Sequence, residues 1–265
     1  MDAYIEATWG PLNLAAAGVP KTDYELEMTR IMTDGIIRYI RQKTNASMII
    51  DKMTPVERPD VAQRIKTAFP NAKIAYLVRD GRDIAVSFLF DWLTKAHGPS
   101  GAINTDSARY QRFVGKKNIE VERLFTDQEV AEYAQNWCDA IDIFLPIASH
   151  HFSYEEMKAD LGSVLRKYFD FIGIEHTNDN IRACCEGASF KVMSGGSDAG
   201  DATRVSSASR RGVARGWVDY FTRRDGEIFH SVAGETLRKC GYENDASWIN
   251  ELPGKLVGFQ QTATK

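Results

Sequence analysis

Between Phe69 and Leu93 the chain reads FPNAKIAYLVRDGRDIAVSFLFDWL, and this stretch limits the available folds more than any other. The apolar run Ile74 to Val78 has the length of a buried strand. It stops at Arg79-Asp80-Gly81-Arg82-Asp83, and an apolar pattern with helical spacing follows at once, with Ser87 inside it. The same alternation recurs elsewhere. From Thr22 to Thr44, Met28, Ile31, Met32, Ile36, Tyr39 and Ile40 recur at steps of three and four, the spacing of a helix with one buried face. SMIID (47–51) reads as a short buried strand, and Val61, Ile65 and Phe69 mark a helix closed by Pro70. Thr126 and Glu129 offer a capping box for a helix over 127–145, with Val130, Tyr133, Ala134, Trp137, Ile141 and Phe144 inward. HHFSY (150–154) has strand length, Leu161 to Phe169 is amphipathic, and a last helix over about 224–239 ends at Gly241 as a C-terminal glycine would require. Strands alternating with helices predict an α/β fold, a parallel sheet flanked by helices. The polar, poorly periodic part 98–125 is expected to be an excursion from that sheet.

A hydrophobic fraction of 43% with 26% charged residues over 265 positions places the chain among globular proteins. A net charge of -3 argues against a coat for nucleic acid or an acidic membrane surface, so an anion site has to be local. Cys138, Cys184, Cys185 and Cys240 show neither a C-x-x-C pair nor metal-ligand spacing, and adjacent Cys184 and Cys185 read as small apolar residues on a helix. No metal site is expected. The opening MDAYIEATWGPLNLAAAG lacks a basic leader region, and no apolar run reaches membrane-spanning length. A cytoplasmic protein with no nucleic-acid or membrane partner is the expectation.

In an open parallel sheet, ligands sit beyond the carboxyl ends of the strands. Arg79 lies at such an end, and a helix starting near Gly81 or Arg82 aims free N–H groups and partial positive charge at the same crevice. That makes an anion site. The other reading is a surface ion-pair net of Arg79, Asp80, Arg82 and Asp83, worth little to stability. Farther on, SGGSDAGDATRVSSASRRGVARG (194–216) has almost nothing to bury and by itself is a flexible loop.

Taken with its neighbours, FPNAKIAYLVRDGRDIAVSF resembles the segment of sulfotransferases using 3′-phosphoadenosine 5′-phosphosulfate (PAPS) in which a strand, an RD-x-x-D turn and a later serine bind the nucleotide 3′-phosphate. Arg79 and Ser87 match that spacing. FSYEEMKAD (152–160) resembles the family's YEDL/M motif, which implies that Tyr154 lies near adenine. GASFKVMS (187–194) resembles TSF-x-x-M and places Phe190 against adenine, although Ala188 stands where threonine is usual. RRGVARGWVDYFT (210–222) lies without gaps on RKG-x-x-GDWKNHFT, so that Arg210, Arg211 and Gly212 would close on the 3′-phosphate. Trp217 is assigned to packing. The resemblance covers about 47–242 and implies a P-loop nucleotide-kinase-like sheet in one domain spanning 1–265.

Two family features are missing. No phosphate loop such as PKSGTTW is present; the nearest string, AGVPKTDYELEM (17–28), carries acids where the ligand would sit, so the expectation is that the first βα unit of the family is missing from this sequence or that another segment replaces it. DKMTP (51–55) puts Lys52 at a family lysine but Thr54 where many relatives have a histidine base, and threonine is no base at neutral pH. His97 is the candidate substitute, with Asp51 and Glu57 as alternatives. The resemblance implies in-line transfer of a sulfuryl group from PAPS to a hydroxyl or amine of a small or carrier-borne acceptor, releasing 3′-phosphoadenosine 5′-phosphate (PAP). Lys52 would supply positive charge to the transferring oxygens, and no metal is needed. The rival readings are a catalytically degenerate PAPS- or PAP-binding protein and, against the lack of G-x-x-x-x-G-K-[ST], a nucleotide kinase.

Overall fold

Residues 12, 14–52, 64–67, 69–96, 106–113, 118–120, 122–189, 192, 214–256 and 260–262 are described by the computed structural model. They divide into two units: Met1–Ile74 with Ile143–Ser149, and Ala75–Asp142 with His150–Lys265.

The first unit is built on helix α1, Lys21–Thr44. It ends where Asn45 turns into the left-handed region (φ 53°) and donates its N–H to the Arg41 carbonyl. The helix is present as its periodicity predicts, but none of its residues is buried; Ile36, for example, is 57% exposed. SMIID does not form the expected strand. A five-residue strand persists only where its N–H and C=O groups meet a neighbour, and none of the four described strands pairs with it; Ile50 is 61% exposed. Residues 64–67 are helical, and Val61 lies outside the described residues.

In the second unit, β1 (Ala75–Val78) runs parallel to β3 (His150–Ser153), with Ala75 opposite His150 and Val78 opposite Ser153. The parallel pairing and the helices after each strand give the α/β arrangement read from the alternation. Burial is less complete than the apolar run suggests: Val78 is buried, while Leu77 is 46% exposed. After β1 comes α2 (Gly81–Ala96), whose Val86, Leu89, Phe90 and Leu93 form one buried stripe. Short α3 (Ala108–Phe113) and β2 (Asn118–Glu120) follow, and then α4 (Asp127–Phe144) opens with the expected reciprocal cap: Thr126 Oγ1 accepts from the Glu129 N–H, and the Glu129 carboxylate from the Thr126 N–H.

The part 98–125 is therefore less of an excursion than its polarity implies. Among its described residues, Phe113, Leu124 and Phe125 are buried, and β2 pairs antiparallel with β4 (Gln260–Thr262). Glu129 does much of this, because the carboxylate that caps α4 also receives Arg109 (2.6 Å) and Arg112 (2.8 Å) from α3. Beyond β3 lie α5 (Tyr154–Ala159), α6 (Leu161–Ile172), α7 (Asn178–Gly187) and α8 (Arg223–Lys239). Phe229, Ala233 and Leu237 of α8 are fully buried, and Gly241 closes the helix at φ 76°.

Gly81, the only uncharged residue of the turn after β1, is required by packing. A Cβ there would lie 2.5 Å from the Trp137 ring and 3.0 Å from Phe229. Alanine would raise helix propensity but force the indole away, and overpacking of this kind costs about 1–3 kcal/mol. Gly81→Ala is expected to lower the unfolding free energy by that amount, seen as a lower urea midpoint with an unchanged slope of the transition.

Candidate functional site

The β1–β3 ladder stops at Val78 and Ser153, and the next residue of each strand starts the site. Arg79 Cζ lies 4.5 Å from the centre of the Tyr154 ring, a cation–π contact. Tyr154 is positioned from behind by a capping box in which Ser153 and Glu156 exchange side chain-to-backbone hydrogen bonds. Burial pushes the Tyr154 hydroxyl pKa up, against the pull of the Arg79 charge. The Arg79–Asp80 peptide, past the end of the ladder, is held by side chains: Trp137 Nε1 donates to the Arg79 carbonyl (3.0 Å), and the Asp80 N–H donates to Glu155 (3.2 Å). Arg79 Nε is buried and has no hydrogen-bond partner among the described residues. A desolvated guanidinium donor left unmatched at the mouth of a parallel pair is suited to an incoming oxyanion.

The other charges of the turn are neither an anion site nor a solvated surface net. Arg82 is 1% exposed. Its guanidinium lies 3.9 Å from the Trp217 ring and 4.5 Å from the Trp248 ring, while its edges donate to Asp80 (2.7 Å) and Glu243 (2.6 Å). Asp80 also accepts the Arg82 backbone N–H at 2.9 Å. Asp83, equally buried, accepts the backbone N–H groups of Arg215 (2.9 Å) and Trp217 (2.8 Å). Of the two arginines in the turn, Arg82 is engaged on its face and its edge by the fold, whereas the Arg79 Nε has no hydrogen-bond partner among the described residues.

Arg79 and Tyr154 are thus brought together. Ser87 is half-buried on α2, one turn beyond Asp83, with no direct hydrogen bond to Arg79 among the described residues. Lys52 is exposed and belongs to the first unit. His97, Phe190, Arg210, Arg211 and Gly212 lie outside the described residues. Trp217 packs, as assigned. Sequence reasoning missed the supporting residues Glu155, Trp137, Tyr242, Glu243 and Trp248. Arg215, which stands where the RKG-x-x-GDW pattern has glycine, adopts φ 58°, a left-handed conformation that favours glycine.

A family model described as the sulfotransferase domain matches residues 38–241, most of the chain. The chain belongs to the sulfotransferase family. This sulfotransferase is 27% identical to rat sulfotransferase 2A1 over 176 residues, covering 63% of its own length and 57% of the relative's. Against human sulfotransferase 2A1 the values are 25% over 185 residues, 63% and 56%. It therefore spans little more than half the length of these curated relatives. A crystal structure of mouse sulfotransferase SULT7A1 complexed with PAP aligns with a TM-score of 0.47 at 20% identity, covering 71% of this chain and 64% of that one. Among the described residues of the sulfotransferase no group of three or more His, Cys, Asp or Glu side chains could hold a metal ion, and no helix is long and apolar enough to cross a membrane. All four cysteines are free thiols.

Burial raises the Asp83 carboxyl from the usual 3.8 to about 6, against the opposing pull of Arg79 and its two N–H donors. The native state then binds a proton that the unfolded chain has lost between about pH 4 and pH 6, so the stability linked to this group is present below that window and is lost as pH rises through it. Carbon-detected NMR should place the Asp83 midpoint near 6. Urea unfolding across the same range should show this downward slope in the wild type and a flatter one in Asp83→Asn.

Proposed function

We propose that the chain is a PAPS-dependent sulfotransferase acting as one domain in the cytoplasm, moving a sulfuryl group from PAPS to a hydroxyl or amine of a small or carrier-borne acceptor. The observation that carries this reading is the buried, unmatched Arg79 Nε beside Tyr154, at positions where the family's motifs have a 3′-phosphate arginine and an adenine-side tyrosine. The described pair, a buried unmatched guanidinium N–H beside an aromatic ring, fits a phosphate next to a purine. Arg79, with Ser87, would receive the 3′-phosphate; Tyr154 and Phe190 would border the adenine; Arg210, Arg211 and Gly212 would close over the phosphate, with arginine forks on its oxygens and the glycine permitting close backbone approach. The 3′-phosphate is what separates this nucleotide from ordinary ATP.

Bound PAPS supplies an activated sulfuryl group. The acceptor oxygen or nitrogen forms a bond to sulfur in line as the bond to the 5′-phosphate breaks, and the acceptor's proton passes to a base. This needs alignment and positive charge more than covalent participation by the protein. Lys52 is proposed for that charge and His97 for the proton. No metal enters the scheme.

A second reading, a binding protein that holds PAP without transfer, is favoured by two observations: Thr54 stands where many relatives have a histidine base, and Lys52 is exposed outside any described strand. Transfer of sulfur-35 from PAPS to a panel of phenols, alcohols and amines distinguishes them. In either case PAP should bind more tightly than adenosine 5′-phosphate by calorimetry. Arg79→Ala should weaken PAP by about tenfold to a hundredfold, the worth of a charge-assisted hydrogen bond, and leave adenosine 5′-phosphate almost unchanged. Equal binding of PAP by wild type and variant would remove Arg79 from the site.

A further inference from the structure

Arg79 can act on an anion only if its side chain leaves the strand in a fixed direction, and the sheet does not provide that. The last ladder pair is Val78 and Ser153. The next peptide group, between Arg79 and Asp80, has no strand partner, yet both of its polar atoms are satisfied. Trp137 takes the carbonyl, and Glu155 takes the N–H. Glu155 is in turn held by a third element, because its other carboxylate oxygen accepts from the Tyr242 hydroxyl at 3.0 Å, just after the glycine that closes α8. Burial beside that carboxylate drives the Tyr242 pKa far up, which keeps the hydroxyl a donor. The consecutive residues Tyr154 and Glu155 therefore engage the consecutive residues Arg79 and Asp80, ring against guanidinium and carboxylate against N–H.

We propose that Glu155 is a positioning residue for Arg79: by fixing the N–H of the Arg79–Asp80 peptide, with Tyr242 bracing it, it sets the direction in which the Arg79 guanidinium leaves β1. This rests on Arg79 receiving the nucleotide 3′-phosphate. Glu155 does not touch the nucleotide; it determines how much of the Arg79 interaction is realised. Glutamine can still accept the Asp80 N–H through its amide oxygen, whereas alanine cannot, so the two variants separate the hydrogen bond from the bulk of the side chain.

The test is a double-mutant cycle read by calorimetry, with PAP and adenosine 5′-phosphate as probes. Glu155→Ala in the wild-type background is expected to weaken PAP by about fivefold, the loss of one hydrogen bond, and adenosine 5′-phosphate by much less. Glu155→Gln should recover most of the PAP affinity. In the Arg79→Ala background, Glu155→Ala should change nothing further. An equal loss in both backgrounds, or an equal loss of both nucleotides, overturns the inference and makes Glu155 a residue of general structural support. If Arg79→Ala alone leaves PAP binding intact, the site reading fails first and this inference falls with it. Should Glu155→Ala not fold, Tyr242→Phe serves in the same cycle: it removes only the bracing hydroxyl, and a smaller PAP-selective loss that vanishes with Arg79→Ala supports the proposal, while a loss that persists overturns it.

Discussion

One buried guanidinium, set in the corner of two perpendicular indoles, ties distant parts of the second unit to the start of α2. Arg82 lies against Trp217 and Trp248 and is gripped at its edge by Asp80 and Glu243. These partners come from the turn after β1, the helical turn at Gly216–Asp219, the segment after α8 and the helical turn at Ser247–Glu251. A buried cation has few acceptable surroundings, since an unmatched charge in the interior costs several kcal/mol. Its neighbours are therefore restricted in place, and the start of α2 is restricted with them. Arg79 gains from this indirectly. With Arg82 and Asp80 committed to each other, the Arg79 Nε keeps no hydrogen-bond partner among the described residues.

Much of the architecture was legible because it follows from local chemistry. The strand 75–78, the Thr126 and Glu129 cap, the helix over 127–144 and the glycine stop after the last helix each depend on a few adjacent residues whose geometry has little freedom. SMIID failed for the opposite reason: a short apolar run carries no local instruction, and its conformation depends on a partner edge that none of the described strands supplies. The excursion was underestimated because polarity was taken for exposure. Arg109 and Arg112 are polar, yet a single glutamate draws both inward and the aromatic residues near them become buried.

The site shows the same division. Arg79 and Tyr154 could be found from motif spacing, since each follows directly on a strand. Glu155, Trp137 and Tyr242 could not, because their importance arises from contacts between residues 58 to 87 positions apart. The charged turn posed a choice between a ligand site and a surface net. The surface-net alternative assumed that its charges act as one group, whereas burial divides them: Arg82 and Asp80 are interior, Asp83 reaches across to another segment, and Arg79 faces the Tyr154 ring.

Asp83 joins backbone positions 132 and 134 residues away, gripping Arg215 and Trp217 by main-chain N–H groups and not by their side chains. Such a tie is made to the main chain and does not itself use the side chain at either position. Since closing a longer connection costs only about 0.6 kcal/mol per doubling of its length, this tie fixes the point at which the chain rejoins the fold with little dependence on the length of the segment upstream of Arg215.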